Sequence, residues 1–460
     1  MVRPLLTLVL LAASGFSAVA IADEPLRLGT FDVDASPPVG TPMAYDPTDG
    51  VQDPLHCKGI VLLGEDEPIV LLAIDWIGVG NGGQDAFKEA IAGAVGTSPD
   101  RVAVHALHQH DAPRCDFSAA ELLIEHGVDP SESFFDLDFA RDVIARAADA
   151  ARQAKADART VTHIGSADAL VEGVASNRRI LGPDGRVRAT RYTACRDEAL
   201  RAEPEGIIDP NLKLLTFFDG AEPIACLSYY ACHPQSYYRT GLASCDFPGL
   251  ARQAREAATG IPHIHFDGAG GNIGAGKFND GAPENRQVLA DRLADAMRRA
   301  FDTAAETNRR SPVSSSSIAW EVVPVVLPAA PHLDEETLSA TLADPNSNAR
   351  ISAAVDLVWL RRCTTGNDPI PVSCLTLGPT RLLHLPGELF VEYQLAAQAM
   401  RPDLFVCMAA YGDYAPGYIC TASAYYQGGY EASPRASNVA PTVEIVLLDA
   451  IARLLQQDDH

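Results

Sequence analysis

Short, nearly continuous apolar runs recur along the chain, with helical patterns between them, and this alternation constrains the fold more than any other feature. Residues 102–107, 224–229 and 404–409 lack the polar alternation of a half-solvated strand, as strands buried on both faces do. Further strands are expected at 59–63, 69–75, 213–218, 263–266, 318–326 and 380–384. Helical periodicity falls at 85–94, 138–154, 247–258, 284–305, 348–362, 389–399 and 443–456. Asp246 before Pro248 reads as the N-cap of the third of these. The pattern predicts an α/β fold, a central mixed β-sheet covered by helices in a single large domain. No sequence repeat and no low-complexity segment interrupts it, and the Ser-rich stretch 308–317 reads as a loop.

The N-terminus has a different character. Arg3, an apolar run from Leu5 to Ala13, and small residues at Ala18, Ala20 and Ala22 form the signature of a secretory signal over residues 1–22. The expected mature chain is therefore 23–460, secreted or periplasmic. No later stretch is long and apolar enough to span a bilayer, so the mature protein is expected to be soluble. The formal net charge of −24 disfavours nucleic acid and anionic lipid headgroups and leaves uncharged substrates open. In an exported chain the ten cysteines admit disulfides, with Cys363 and Cys374, on either side of a turn, as the best local pair. No C-x-x-C occurs, which speaks against a cysteine zinc cage.

Chemistry-bearing residues gather at strand ends. His105, His108 and His110 follow the run 102–107 and are succeeded by Asp111 and Pro113; residues two apart in extended chain share a side, which puts His108 and His110 in one pocket and points His105 elsewhere. Cys232, His233 and Pro234 end the run 224–229, and the proline forces the backbone to extend or turn. Pro386, Gly387 and Glu388 follow the strand at 380–384 and precede a helix, whose N-terminus favours the charged carboxylate that a metal needs. Tyr411, Tyr414, Tyr418 and Tyr430 punctuate a glycine-rich loop, which suits a pocket wall. Gly271 to Lys277 has the G-x-x-x-x-G-K spacing of a phosphate loop, but Phe278 stands where a Ser or Thr must hold magnesium, so the glycines are better suited to close backbone approach. Arg178 and Lys277 are further polar partners for a substrate. Neither H-E-x-x-H nor G-x-S-x-G occurs.

Taken in order, these segments resemble the neutral ceramidase family. The resemblance rests on His108-Gln109-His110-Asp111-Ala112-Pro113, Ala231-Cys232-His233-Pro234, Leu385-Pro386-Gly387-Glu388, the tyrosines from Tyr414 to Tyr430 with Glu431, and Asn177-Arg178. It implies one zinc per chain on His108, His233, Glu388 and Tyr414, with Tyr418 as the alternative phenol. It also implies His110 as acid/base, with Arg178 and Tyr418 beside the substrate. The implied reaction is hydrolysis of the amide bond of a ceramide-like N-acyl lipid by metal-activated water, with only a weak membrane-surface encounter. Gly274 stands where the family carries a serine, which removes an acyl-serine route at that position. The family's C-terminal sandwich domain has no counterpart in this sequence. The alternatives are a zinc hydrolase of another small amide or ester, and a non-catalytic secreted binding protein on the same fold.

Overall fold

The computed structural model describes residues 25–456; the signal sequence expected at 1–22 lies outside the described residues. The expected α/β class is present, and its mixed sheet is divided among three separate mixed sheets. The first joins Leu26–Asp34, His56–Leu63, Ile69–Ile74 and Val102–Ala106, with Arg159–Val161 at its far edge. The second joins His163–Leu170, Asn211–Asp219, Glu222–Tyr230 and His263–Asp267, with Arg310–Pro312 at its edge. The third joins Ile318–Val325, Ile370–Leu377, Thr380–His384 and Phe405–Ala409.

The same topology occurs three times. In each sheet three strands run antiparallel in sequence order, and then a helix carries the chain to a fourth strand parallel to the third. The crossover helices are Gly82–Val95, Asp246–Thr259 and Val391–Met400, and the parallel pairs are Ile69–Ile74 with Val102–Ala106, Glu222–Tyr230 with His263–Asp267, and Thr380–His384 with Phe405–Ala409. The sequence shows no repeat because topology constrains only the period and polarity of side chains, which many residues satisfy.

Period-two alternation explains the packing. Along Ile69–Ile74, the side chains of Ile69, Leu71 and Ala73 enter one cluster, while those of Val70, Leu72 and Ile74 enter another. The first cluster is shared by all three sheets, with Leu71, Leu227 and Leu382 all buried in it. The outer faces lie under helices: Leu137–Ala156 and Gly82–Val95 cover the first sheet, Asp246–Thr259 and Glu284–Ala304 the second, Val391–Met400 and Val443–Leu455 the third. Leu137–Ala156 begins where the Asp136 carboxylate accepts the N–H groups of Asp138 and Phe139, and buries Ala140, Val143, Ala147, Ala151 and Ala154 on one stripe.

Three expectations are corrected. Asp246 is not an N-cap: Cys245 holds that position, and Asp246, at φ 48°, turns its carboxylate to accept from the backbone N–H and hydroxyl of Ser236. All ten cysteines, Cys363 and Cys374 included, are free thiols, and nine of them are buried, where they pack as small apolar groups. Stretch 308–317 is not wholly a loop, since Arg310–Pro312 pairs with the edge of the second sheet.

Candidate metal centre

The three fourth strands end against one another. Asp267 donates its N–H to His105 Nε2 (3.0 Å), Ala410 donates to the Asp267 carbonyl (3.0 Å), and Ala106 donates to the Tyr411 carbonyl (3.1 Å). His105 Nδ1 meets the Ala410 carbonyl, so both its nitrogens are held in this seam, away from the cluster, as the sequence indicated. The loops that leave these strands and their parallel neighbours build the site, the usual position for ligands in α/β sheets.

His108 enters through a left-handed residue, at φ 61°, rather than through extended chain. Its N–H bonds the Trp76 carbonyl (2.9 Å), and its Nδ1 donates to the Ile77 carbonyl (2.7 Å). His233 is fixed in the same way, with Nδ1 donating to the Gly270 carbonyl at 2.9 Å. A carbonyl can only accept, so both Nδ1 atoms carry the proton and both Nε2 atoms present a lone pair when neutral. Those Nε2 atoms lie 3.3 and 3.1 Å from one oxygen, Oε2 of Glu388. His108 Nε2 and Glu388 Oε2 are buried and make no hydrogen bond. Converging unpaired acceptors are unfavourable unless a cation lies among them. Their separations match the edge of a tetrahedron whose ligands sit about 2.0–2.1 Å from zinc, roughly 3.3 Å. The donor set and its backbone carbonyl supports therefore fit a divalent metal.

Backbone geometry places Glu388. Gly387, at φ 65°, makes the turn after Thr380–His384, and a Cβ there would lie 2.7 Å from the Gly417 carbonyl. Glu388 donates its N–H to that same carbonyl (2.9 Å) and pairs in parallel with Tyr418. Gly271 lies so close underneath that its Cβ would stand 2.2 Å from the Glu388 carbonyl oxygen. Burial opposes ionisation of Glu388, and its carboxyl falls well below the usual range only through positive charge or a proton at the His108 and His233 Nε2 edge, a charge that a metal would supply. Burial and the Arg178 charge push the His233 imidazole down to about 4, and burial with neighbouring His108 keeps His110 neutral.

His110 joins the group: the ring nitrogens of His108, His110 and His233 lie within 4.8 Å of one another. Its Nδ1 meets the side-chain amide of Gln235 (2.9 Å) and the Tyr45 hydroxyl (3.0 Å), while Nε2 is buried without a hydrogen bond. The Tyr418 hydroxyl lies 3.3 Å from His233 Nε2, and the Tyr414 hydroxyl donates to Glu388 Oε1 at 3.3 Å. Tyr411, at φ 57°, stacks on His108 at 4.9 Å. Arg178 Nη2 reaches the Tyr418 hydroxyl (3.1 Å), the Gly271 carbonyl (2.8 Å) and Glu431 Oε1 (3.1 Å). Burial pushes the Tyr418 phenol well above its usual range, and the Arg178 charge offsets only part of that rise. A Cβ on Gly274 would come within 3.2 Å of the Arg178 side chain, so the glycine makes room for that stem. Lys277 is outside the cluster, its Nζ donating to the Arg201 and Glu203 carbonyls. Tyr414 also lines an apolar cavity of ≈ 110 Å³ with Gly78, Phe134 and Val355.

Sequence reasoning missed several supports. Gln235 lies two residues after His233 and Glu431 closes the tyrosine loop, so their motifs carried a signal; Tyr45 sits in a loop with none. Asn272 was read only as part of the glycine run, yet its side chain accepts from the N–H of Val391 (2.9 Å) and donates to Glu392 (2.8 Å), fastening the helix behind Glu388.

No family model matches the chain, and no curated protein does. Solved structures do. A neutral ceramidase from Pseudomonas aeruginosa superposes with TM-score 0.65 at 18% identity, over 94% of this chain and 75% of that one. A ceramidase complexed with C2 gives TM-score 0.65 at 16% identity over the same shares. In its architecture, with three sheets around a common seam, the chain is neutral ceramidase-like.

Proposed function

We propose that the protein is a zinc-dependent hydrolase that cleaves the amide bond of a ceramide-like N-acyl lipid. The observation that carries the proposal is the convergence of His108 Nε2 and His233 Nε2 on Glu388 Oε2. His108, His233 and Glu388 would hold the ion, with a phenol as fourth donor. Of the two phenols, Tyr418 is favoured, because its oxygen faces His233 Nε2 and Arg178 supports its anionic form. Tyr414 then orients Glu388 through Oε1. When bound, zinc supplies Lewis-acid polarisation of the scissile carbonyl and lowers the pKa of water toward ~7.

The chain's own residues do the rest. His110 is neutral and lies beside the metal ligands; with the Gln235 amide turned so that its oxygen accepts from Nδ1–H, Nε2 takes a proton from the attacking water as the C–O bond forms. It returns that proton to the nitrogen as the C–N bond breaks, giving a carboxylic acid and an amine. Gln235 and Tyr45 at Nδ1 hold the imidazole through both transfers. Arg178, buried and paired with Glu431, acts through Tyr418 rather than on the substrate. The cavity against Tyr414 suits an apolar acyl group. Residues 1–22 are proposed to export the protein; N-terminal sequencing of secreted material should then start at Ile21 or Asp23, and retention of Met1 would refute cleavage.

The test combines zinc analysis with an N-acyl amide substrate panel on the wild type, His108→Ala and His233→Ala. Zinc and turnover lost together in both folded variants support the assignment. Full zinc in either variant would refute it.

A further inference from the structure

A free arginine stands at the mouth of the site. Arg239 has φ 65°, in the left-handed region that disfavours such a side chain. Asp111, directly after His110, holds it there: the carboxylate accepts the Arg239 N–H at 2.8 Å and the Thr240 hydroxyl at 2.9 Å. The guanidinium lies over the Tyr45 ring (4.8 Å) and near the Tyr238 ring (5.8 Å). Both rings also contact His110, Tyr45 stacked at 5.7 Å and Tyr238 at 5.4 Å. One phenol ring thus separates an exposed cation from the imidazole that handles the proton.

Among the described residues Arg239 forms no ion pair. Its guanidinium is left to the two phenol rings and solvent. Other arginines near the centre have internal partners, Arg178 and Arg179 in Glu431 and Arg114 in the Ala44 carbonyl. A strained backbone, two aromatic supports and a buried aspartate together maintain a guanidinium that serves no internal partner. Its planar fork matches a carboxylate, and stacking on the rings pre-organises it.

We infer that the site prefers an N-acyl substrate whose amine portion carries a carboxylate, an N-acyl amino acid, and that Arg239 is the residue that selects it. This rests on the hydrolase reading above and goes beyond it by naming the charged end of the substrate.

The test uses the full chain and a matched pair, N-lauroylglycine and its neutral primary amide, N-lauroylglycinamide. For the wild type, kcat/KM should favour the acid by about tenfold, the worth of one charge-assisted contact. Arg239→Asn, which suits the left-handed backbone, should bring that ratio close to one, mainly through KM, and Arg239→Lys should keep part of it. An unchanged ratio in Arg239→Asn, or wild-type preference for the neutral compound, would overturn the inference. Calorimetric binding of the same pair separates the two proposals. If neither compound is hydrolysed but the acid binds more tightly in an Arg239-dependent way, the anion site stands and the hydrolase reading falls. Equal affinities would overturn the anion site.

Discussion

At the scale of single residues, orientation rather than proximity makes the centre. Two histidines near a glutamate are common in protein interiors, but here each Nδ1 is committed to a backbone carbonyl, which leaves each Nε2 facing the same carboxylate oxygen. The two phenols should separate in experiment. Tyr414→Phe, which removes a support of Glu388, is expected to lower zinc affinity by about 10–100-fold, and Tyr418→Phe, which removes the proposed fourth donor, by more; competition with a chelator measures both. Glu431 should matter to stability before it matters to chemistry. It is the carboxylate between two buried arginines, so Glu431→Gln is expected to destabilise by about 3–5 kcal/mol in urea melts. A change below 1 kcal/mol would show that the pair is solvated.

At the scale of elements, turns and caps decide whether those side chains meet. Gly271→Ala would place a methyl against the Glu388 carbonyl, so the variant is expected to lose zinc while keeping its helical circular dichroism; retained zinc would show that the turn can yield. A second element-level device is the N-cap of Phe117–Glu125. Burial pushes the Asp116 carboxyl up to about 7 while it accepts from Ala119 and Asn81. The native state therefore binds this proton more tightly than the unfolded chain does, near 3.9. The associated stability is fully present below about pH 4 and is lost as pH rises through about 7, by up to ~4 kcal/mol. Asp116→Asn should flatten that part of the pH profile of unfolding free energy; a profile unchanged from wild type would contradict it. Elements of this kind were only partly legible in the sequence. Buried strands such as Phe405–Ala409 announce themselves by continuous apolar character, and Leu137–Ala156 by its alanine stripe. Leu26–Asp34 and His163–Leu170 were missed, because mixed small and charged residues along them blur the period. The candidate site motifs were legible wherever the residue follows a strand directly, as His108 and Glu388 do. Gln235, Asn272 and Tyr45 act through contacts between segments far apart in sequence, which local pattern does not encode.

At the scale of the molecule, one topology used three times brings three strand ends to one seam, and the centre needs all three. His108 follows a strand of the first sheet, His233 one of the second, and Glu388 one of the third. Loss of the centre should accordingly loosen the whole molecule, and zinc should raise the melting temperature of the complete chain. The free thiols give a separate check. Under denaturing conditions without reductant the ten cysteines should all react with a thiol reagent, and fewer would reveal a disulfide. The central claim is tested most directly by metal content, measured by mass spectrometry on the purified protein and on His233→Ala. The account predicts about one zinc per chain in the wild type, as a single three- or four-ligand centre requires, and none in the variant. Metal absent from the wild type after zinc is supplied, or present equally in both, would contradict it.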